Sequence, residues 1–500
     1  MLAVLQIDSV SLPDLDRLLD EGRLPALAAL MSEARRVELG STAGFLPAAA
    51  YPTLFTGLPP AEHGLHYVFQ WSPGEQRVRF REDFDSPATI WERLAETGRR
   101  ALVLDPYEGW PPPRPGPDVV SGWQFRNPLS MESWSVPSGL HSSLARRFGR
   151  PRHVTEVFGR TTTRYSLDIL EKLLTGPSRT AAAAEELLRT KRYDFAWITF
   201  MASHLAGHLF WDVRELVRRE RSARKRDTLE SALARVYEET DRGLARVLSA
   251  LPDDADLLVV SALGMGLNLS LVDALAAMLD SVLTGRNGSR RTSTESLLWR
   301  TRAKVPIRVR SAVAHALGTS LMRTVTSRLS TAGANWSETQ AFMLPGDHFG
   351  QIRLNLRGRE REGVVDPGEA EELSARIAEG LMTFRAPDGA PVIDSVLRGS
   401  EVAGEGARAH LLPDLVVRWA NRPASEVPFV ASERYGRVDR LGTGTGRSGA
   451  HTDEAWLLPV ARSRRVRPLD RPPRLEDVAA TAAAVWEVEI PGTPGQPLIE

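Results

Sequence analysis

His204 and His208 stand four residues apart, the spacing that stacks two side chains on one helix face and lets two imidazoles meet one divalent metal. They follow an apolar run at 195–201 that reads as a strand. Asp8 follows a second such run, Leu2–Ile7, and Ala262 and Leu263 follow a third at 257–261. In an open parallel sheet, ligands and catalytic groups gather beyond the carboxyl ends of the strands. A carboxylate and two imidazoles at such an edge are part of the equipment of a hydrolytic metal centre, whereas the third end offers only hydrocarbon.

The elements that must position these residues alternate from the start of the chain. Leu2–Ile7 is followed by a helical stretch over 12–32, another at 88–97 and a strand at Ala101–Leu104. Helical spacing at 229–251 ends at Pro252-Asp253-Asp254, a turn leading into the strand at 257–261. This rhythm predicts a parallel sheet with helices on both faces. From 265 to about 340 it breaks into several helices with Gly and Ser joints and no convincing strand. Strands resume at 351–355, 414–419 and Ala455–Val460, while 110–117 and 441–448 read as loops. The expected organisation is a core over 1–265, a basic helical insertion or cap over 266–340, and the C-terminal part of the core over 341–500.

Composition narrows the functional classes. At 500 residues, 42% hydrophobic and 25% charged, the chain is long enough for a large core. Lys+Arg and Asp+Glu both number 63, so no global field draws it to nucleic acid or to an anionic membrane. Charge is local instead: 286–328 holds ten Lys or Arg and one acid, Glu295, either a solvated helical surface or a collar for an anionic substrate or partner. The absence of cysteine excludes disulfides, thiolate ligands and a cysteine nucleophile. No apolar run reaches the roughly 18 residues of a membrane span, and the N-terminus carries no signal-peptide pattern. A cytoplasmic protein is the expectation.

At Leu54-Phe55-Thr56-Gly57-Leu58-Pro59-Pro60-Ala61-Glu62-His63-Gly64 the sequence resembles the alkaline phosphatase superfamily, in its type I phosphodiesterase and nucleotide pyrophosphatase-like branch of phosphohydrolases and phosphomutases. Ile7-Asp8-Ser9 is similar to that family's opening strand, and Gly22 to Leu27 to its "G-x-L-P-N-L" helix. Ser261-Ala262-Leu263-Gly264-Met265 aligns with its "S-D-H-G-M" box, and His204-Leu205-Ala206-Gly207-His208 with its "D-x-x-G-H". Trp336 to Phe342, Ile352 to Glu360, Pro413 to Val417, Gly449-Ala450-His451 and Leu475 to Ala479 follow in family order. The resemblance implies an alkaline phosphatase-like α/β fold, an αβα sandwich on a mostly parallel sheet with a helical insertion.

It also implies a Thr or Ser nucleophile and two divalent metals, usually zinc, that stabilise charge on the attacking and leaving oxygens. One ligand set would be Asp8 with the Asp and His of "S-D-H-G-M", which here are Ala262 and Leu263. A lone carboxylate does not hold a catalytic metal, so that half is expected to be empty. The other set would be His204, in place of the family's Asp, with His208 and His451. Three imidazoles suit one zinc or another divalent ion, with Asp8 orienting a ligand or a bound water. The nucleophile position, nine residues before Thr56, falls on Pro47, or on Leu46 or Ala50 if the alignment slides. None carries a hydroxyl; Ser41, Thr42 and Thr53 are nearby.

Each feature has a plainer reading. His63 would lock its loop; the basic cluster over 214–226 would be a solvated helix face; His348 and His410 would be surface residues; Asp8 could cap a helix. Two functions stay open. One is a phosphoester hydrolase or transferase working on an anionic, phosphorylated small molecule, with one metal, no organic cofactor, and water or an acceptor in place of the covalent nucleophile. The other is a catalytically inactive relative that binds a ligand or a protein partner. Neither involves nucleic acid or membrane.

Overall fold

The computed structural model describes residues 1–107, 116–126, 132–154, 162–285, 335–440 and 446–500. The apolar runs become strands β1 (Leu2–Ile7), β2 (Val37–Leu39), β3 (Ala101–Leu104), β4 (Asp118–Ser121), β5 (Trp134–Val136), β6 (Phe195–Phe200), β7 (Asp256–Ser261) and β8 (Gly264–Leu267). Later come β9 (Ala341–Leu344), β10 (Gly350–Leu354), β11 (Ile393–Arg398), β12 (Leu415–Trp419), β13 (Gly449–Thr452) and β14 (Ala455–Val460). The helices that matter here are α1 (Leu12–Asp20), α2 (Pro25–Glu33), α3 (Ala50–Thr56), α4 (Thr163–Thr190), α5 (Ala202–Phe210), α6 (Ala232–Leu248), α7 (Val272–Thr284), α8 (Ala370–Leu381) and α9 (Leu475–Val485).

β1 is buried along its whole length, as a strand covered by helices on both faces must be. Its period of two sends Leu2 and Val4 into one core, with α3 and α9, and Ala3, Leu5 and Ile7 into another, with α1, α2 and much of α6. The central sheet runs β2-β14-β7-β1-β6-β3-β4-β5. β1 is parallel to both β6 and β7, and β3 and β4 extend the parallel block. β14, β2 and β5 pair antiparallel at its flanks. The sandwich and its mostly parallel sheet are those expected, and the ends of β6, β1 and β7 lie side by side.

A second, antiparallel sheet, β9-β10-β12-β11, sits apart from the first. Its core joins Leu275 and Met278 of α7 to Ile352, Leu354, Leu415 and Val417, with Leu373 and Ile377 of α8. Residues on both sides of 286–334 thus share one hydrophobic cluster. Within 265–340, where no strand was expected, β8 forms a ribbon with β13; Gly264 and Gly266 leave room for Thr452 against it. Most of the expected basic insertion (286–334), most of the 110–117 segment expected as a loop and residues 441–445 lie outside the described residues. Among the described residues, no helix is long and apolar enough to cross a membrane.

Candidate metal centre

Asp8 is delivered by the end of β1, where its N–H still donates to Phe200 of β6 at 3.0 Å. The chain then turns sharply, with Ser9 at φ 53°, a conformation that costs a non-glycine residue energy and tends to persist at functional sites. Asp8 is fully buried. Its Oδ2 lies 2.9 Å from His204 Nδ1, and Tyr51 Oη donates to Oδ1 and Oδ2 at 3.0 and 3.2 Å. Ser9 Oγ is 3.1 Å from His204 Nδ1.

His204 and His208 share one face of α5, with Nε2 atoms 3.1 Å apart. Tyr107 Oη lies 3.1 Å from His204 Nε2, so both ring nitrogens of His204 have neighbours. His208 Nδ1 is 2.9 Å from the Gly449 carbonyl. Only N–H can serve that acceptor, which leaves Nε2 as the nitrogen with a lone pair.

Two glycines permit this approach. A Cβ on Gly207 would lie 2.5 Å from Met265 Cγ, and one on Gly449 would lie 2.3 Å from the Gly207 carbonyl oxygen. With both absent, α5 packs onto the β8–β13 ribbon and the His451 ring comes within 4.6 Å of His204 and 4.8 Å of His208, centroid to centroid. The structure therefore brings His204, His208 and His451 together beside Asp8.

The turn between β9 and β10 adds Asp347 and His348. His348 was expected at the surface; it is instead 3% exposed, because the second sheet turns this loop inward and Trp419 Nε1 holds the His348 carbonyl at 2.8 Å. Its ring lies 5.4 Å from that of His208 and 5.3 Å from that of His451. Asp347 Oδ2 is 3.1 Å from His348 Nε2 and 3.6 Å from His451 Nε2, and the carboxylate is ion-paired with Arg447. One donor atom from each of His208, Asp347, His348 and His451 lies within 4.8 Å of every other.

The electrostatics favour ligation. Burial, then Arg447 and the neighbouring imidazoles, holds His208 well below the ordinary histidine range, and burial and His204 do the same for His451. Burial alone would raise Asp347, but Arg447, His348 and His451 outweigh it and hold it well below the carboxylate range. Neutral imidazoles with an ionised carboxylate are the protonation states a divalent cation requires. The nitrogens also lack other occupations. His451 Nδ1 and both ring nitrogens of His348 are buried without a hydrogen-bond partner, the contact of His348 Nε2 to Asp347 having the distance but not the geometry. Buried polar atoms are seldom left so; the residues fit a metal.

The remaining sequence positions are apolar in fact as in type. Ala262 and Leu263 at the end of β7 are fully buried. Leu46, Pro47 and Ala50 are buried in the short turn before α3 and at its first residue. Ser41 Oγ donates to the Ala262 carbonyl at 2.7 Å and Thr53 pairs with His63 Nε2 at 3.0 Å. His63, with Nδ1 accepting from Leu65 N at 3.0 Å, closes its own loop as its plainer reading held. Sequence reasoning passed over Asp347, Tyr51 and Tyr107; for the first, the Asp-His pair between Gly346 and Gly350 was the signal available.

Two solved structures of one enzyme share the fold. Phosphonoacetate hydrolase from Sinorhizobium meliloti 1021, in complex with phosphonoformate, is 15% identical with a TM-score of 0.51, over 97% of this chain and 95% of that one. The same enzyme with phosphonoacetate gives 15% and 0.50 over the same shares, 97% and 95%. Murine ectonucleotide pyrophosphatase / phosphodiesterase 5 in complex with AMP is 10% identical, with a TM-score of 0.46 over 100% and 99% of the two chains. No curated protein matches the chain significantly. The family model for type I phosphodiesterase / nucleotide pyrophosphatase matches residues 2–423, more than four-fifths of the sequence, and the chain belongs to that family.

Proposed function

We propose that this protein hydrolyses or transfers phosphoesters of small anionic substrates with one divalent metal, using water or an acceptor hydroxyl in place of a covalent nucleophile. The observation that carries the proposal is the convergence of His204, His208 and His451 beside Asp8, with ring centroids 4.6–4.8 Å apart, at the carboxyl edge of the parallel sheet, where open α/β folds collect their ligands. A bound zinc would act as a Lewis acid and bring the pKa of a bound water to about 7. His208 and His451 would hold it. Asp8 fixes the His204 ring through Nδ1, and Tyr107 limits where Nε2 can point. The burial of every imidazole in the group, between 2% and 7% exposed, excludes bulk water from the reacting atoms and strengthens their electrostatics.

A second reading, an inactive relative that binds a ligand or a partner protein, draws on the fully buried Ala262 and Leu263. By the motif resemblance they stand where two metal ligands would be. One screen separates the readings: the purified protein loaded with zinc, manganese or cobalt, assayed on p-nitrophenyl phosphate and bis(p-nitrophenyl) phosphate. Metal-dependent turnover abolished by His451→Ala supports the enzyme. Stoichiometric metal with no turnover on either substrate supports the inactive relative.

A further inference from the structure

The motif order puts the metal on His204, His208 and His451 with Asp8 at hand. The packing of the two sheets points elsewhere. We propose that the cation is held by His208, His451, Asp347 and His348, so that a turn of the second sheet supplies half of the ligands and the Asp8–His204 pair stands outside as a positioning pair. The inference rests on the reading of this site as a metal centre and changes which residues make it, with the bound water of that reading joining them as a fifth ligand.

Three observations carry it. The first is geometry. Nitrogen and oxygen donors about 2.0–2.1 Å from a tetrahedral ion lie about 3.3–3.4 Å from one another. Asp347 Oδ2 to His348 Nε2 is 3.1 Å, and to His451 Nε2 is 3.6 Å, with all four donors within 4.8 Å. Small inward shifts of side chains suffice to close the set.

The second is availability. His204 Nδ1 meets Asp8 and Ser9, and its Nε2 meets Tyr107. Both nitrogens of His348 are buried without a hydrogen bond. Nitrogens already engaged by a carboxylate and a phenol are poorer candidates than nitrogens with nothing else to bind.

The third is the contact between His204 and His208. With His208 Nδ1–H given to the Gly449 carbonyl, the Nε2 lone pair of His208 lies 3.1 Å from His204 Nε2, which Tyr107 Oη also meets at 3.1 Å. His208 therefore offers Nε2 as a ligand nitrogen, whereas His204 Nε2 is already met by Tyr107.

Arg447 and Trp419 steady the new ligands, one on the Asp347 carboxylate and one on the His348 carbonyl, in the way outer partners commonly orient a metal's ligands. Three imidazoles and one carboxylate, with no thiolate, suit zinc, cobalt or ferrous iron better than magnesium or calcium. The ion would also join the second sheet to the central one, since His208 rides on α5 and His348 on the β9–β10 turn.

The test uses the full chain, stripped with chelator and titrated with zinc by calorimetry. Bound metal is counted by elemental analysis and melting is followed by circular dichroism. One zinc per chain is expected, with a higher melting temperature when it is bound. Asp347→Asn and His348→Gln each weaken zinc binding by more than ~100-fold, beyond the ~10–100-fold that outer partners cost, and lose the zinc-dependent rise in melting. His204→Ala retains one zinc per chain, weakened by about tenfold at most. Loss of zinc from His204→Ala, or its retention at wild-type affinity in both Asp347→Asn and His348→Gln, overturns the inference while leaving the metalloenzyme reading intact. Failure of the wild-type chain to bind any divalent ion overturns both.

Discussion

Tyr51 Oη lies 3.0 and 3.2 Å from the two carboxylate oxygens of Asp8: the first turn of α3 carries a phenol that caps the carboxyl group at the end of β1. Here a hydroxyl proton and His204 share it. Tyr51→Phe removes the cap from a fully buried acid, and hydrogen bonds to charged groups contribute about 1.5–3 kcal/mol. Urea unfolding of the variant at pH 7 should show a loss of that order. An unchanged unfolding midpoint would mean that the contact contributes nothing.

Leu263, which the sequence resemblance sets against the His of "S-D-H-G-M", is fully buried in the same cluster as Val260 and Ala262. Its role is packing. Leu263→Ala should therefore cost about 2–5 kcal/mol, as for other buried leucines, with zinc stoichiometry unchanged. A neutral substitution, or one that alters metal content, speaks against a hydrocarbon plug.

Gly449→Ala should be felt at the imidazoles. The added methyl group would sit 2.3 Å from the Gly207 carbonyl oxygen, so β13 must move away from α5. His208 then loses its hold on the Gly449 carbonyl and His451 is displaced from His208. We expect destabilisation of about 1–3 kcal/mol, as for other overpacked sites, together with weaker zinc binding in calorimetry. Wild-type zinc affinity in a folded variant contradicts this role for the close approach.

Acid stability should report on two histidines away from the cluster. Burial, then the nearby Arg81 and Arg408, pushes His63 down to about 3, and burial with Arg353 pushes His66 down to about 3. The folded chain keeps both neutral while the unfolded chain protonates them near 6.5, so the unfolded state binds more protons and stability falls as pH drops from 6.5 towards 3. Each group contributes a slope of about 1.4 kcal/mol per pH unit in that window. His66→Gln should flatten the pH dependence of the urea midpoint between pH 6.5 and 5 by one proton's worth. A parallel curve for wild type and variant rules out His66 as a source.

Local pattern determined a large share of this molecule. The apolar runs of β1, β6 and β7 were legible because a strand buried on both faces is written as consecutive hydrophobic residues, and the residues just after them, Asp8, His204 and Leu263, were placed with them. The four-residue step from His204 to His208 set two rings on one helix face before any packing was known. Tertiary structure decided the rest. Asp347 and His348 lie in a turn whose sequence carries no periodicity, 139 and 140 residues from His208 by their numbers, and a solvated turn and a buried ligand pair are spelled alike. No motif or spacing marks Tyr51 and Tyr107; only the placing of α3 and of the end of β3 brings their hydroxyl groups to Asp8 and His204. Spacing fixes what lies within one element, but which elements meet at a sheet edge depends on how their faces pack, and that is a property of the whole chain.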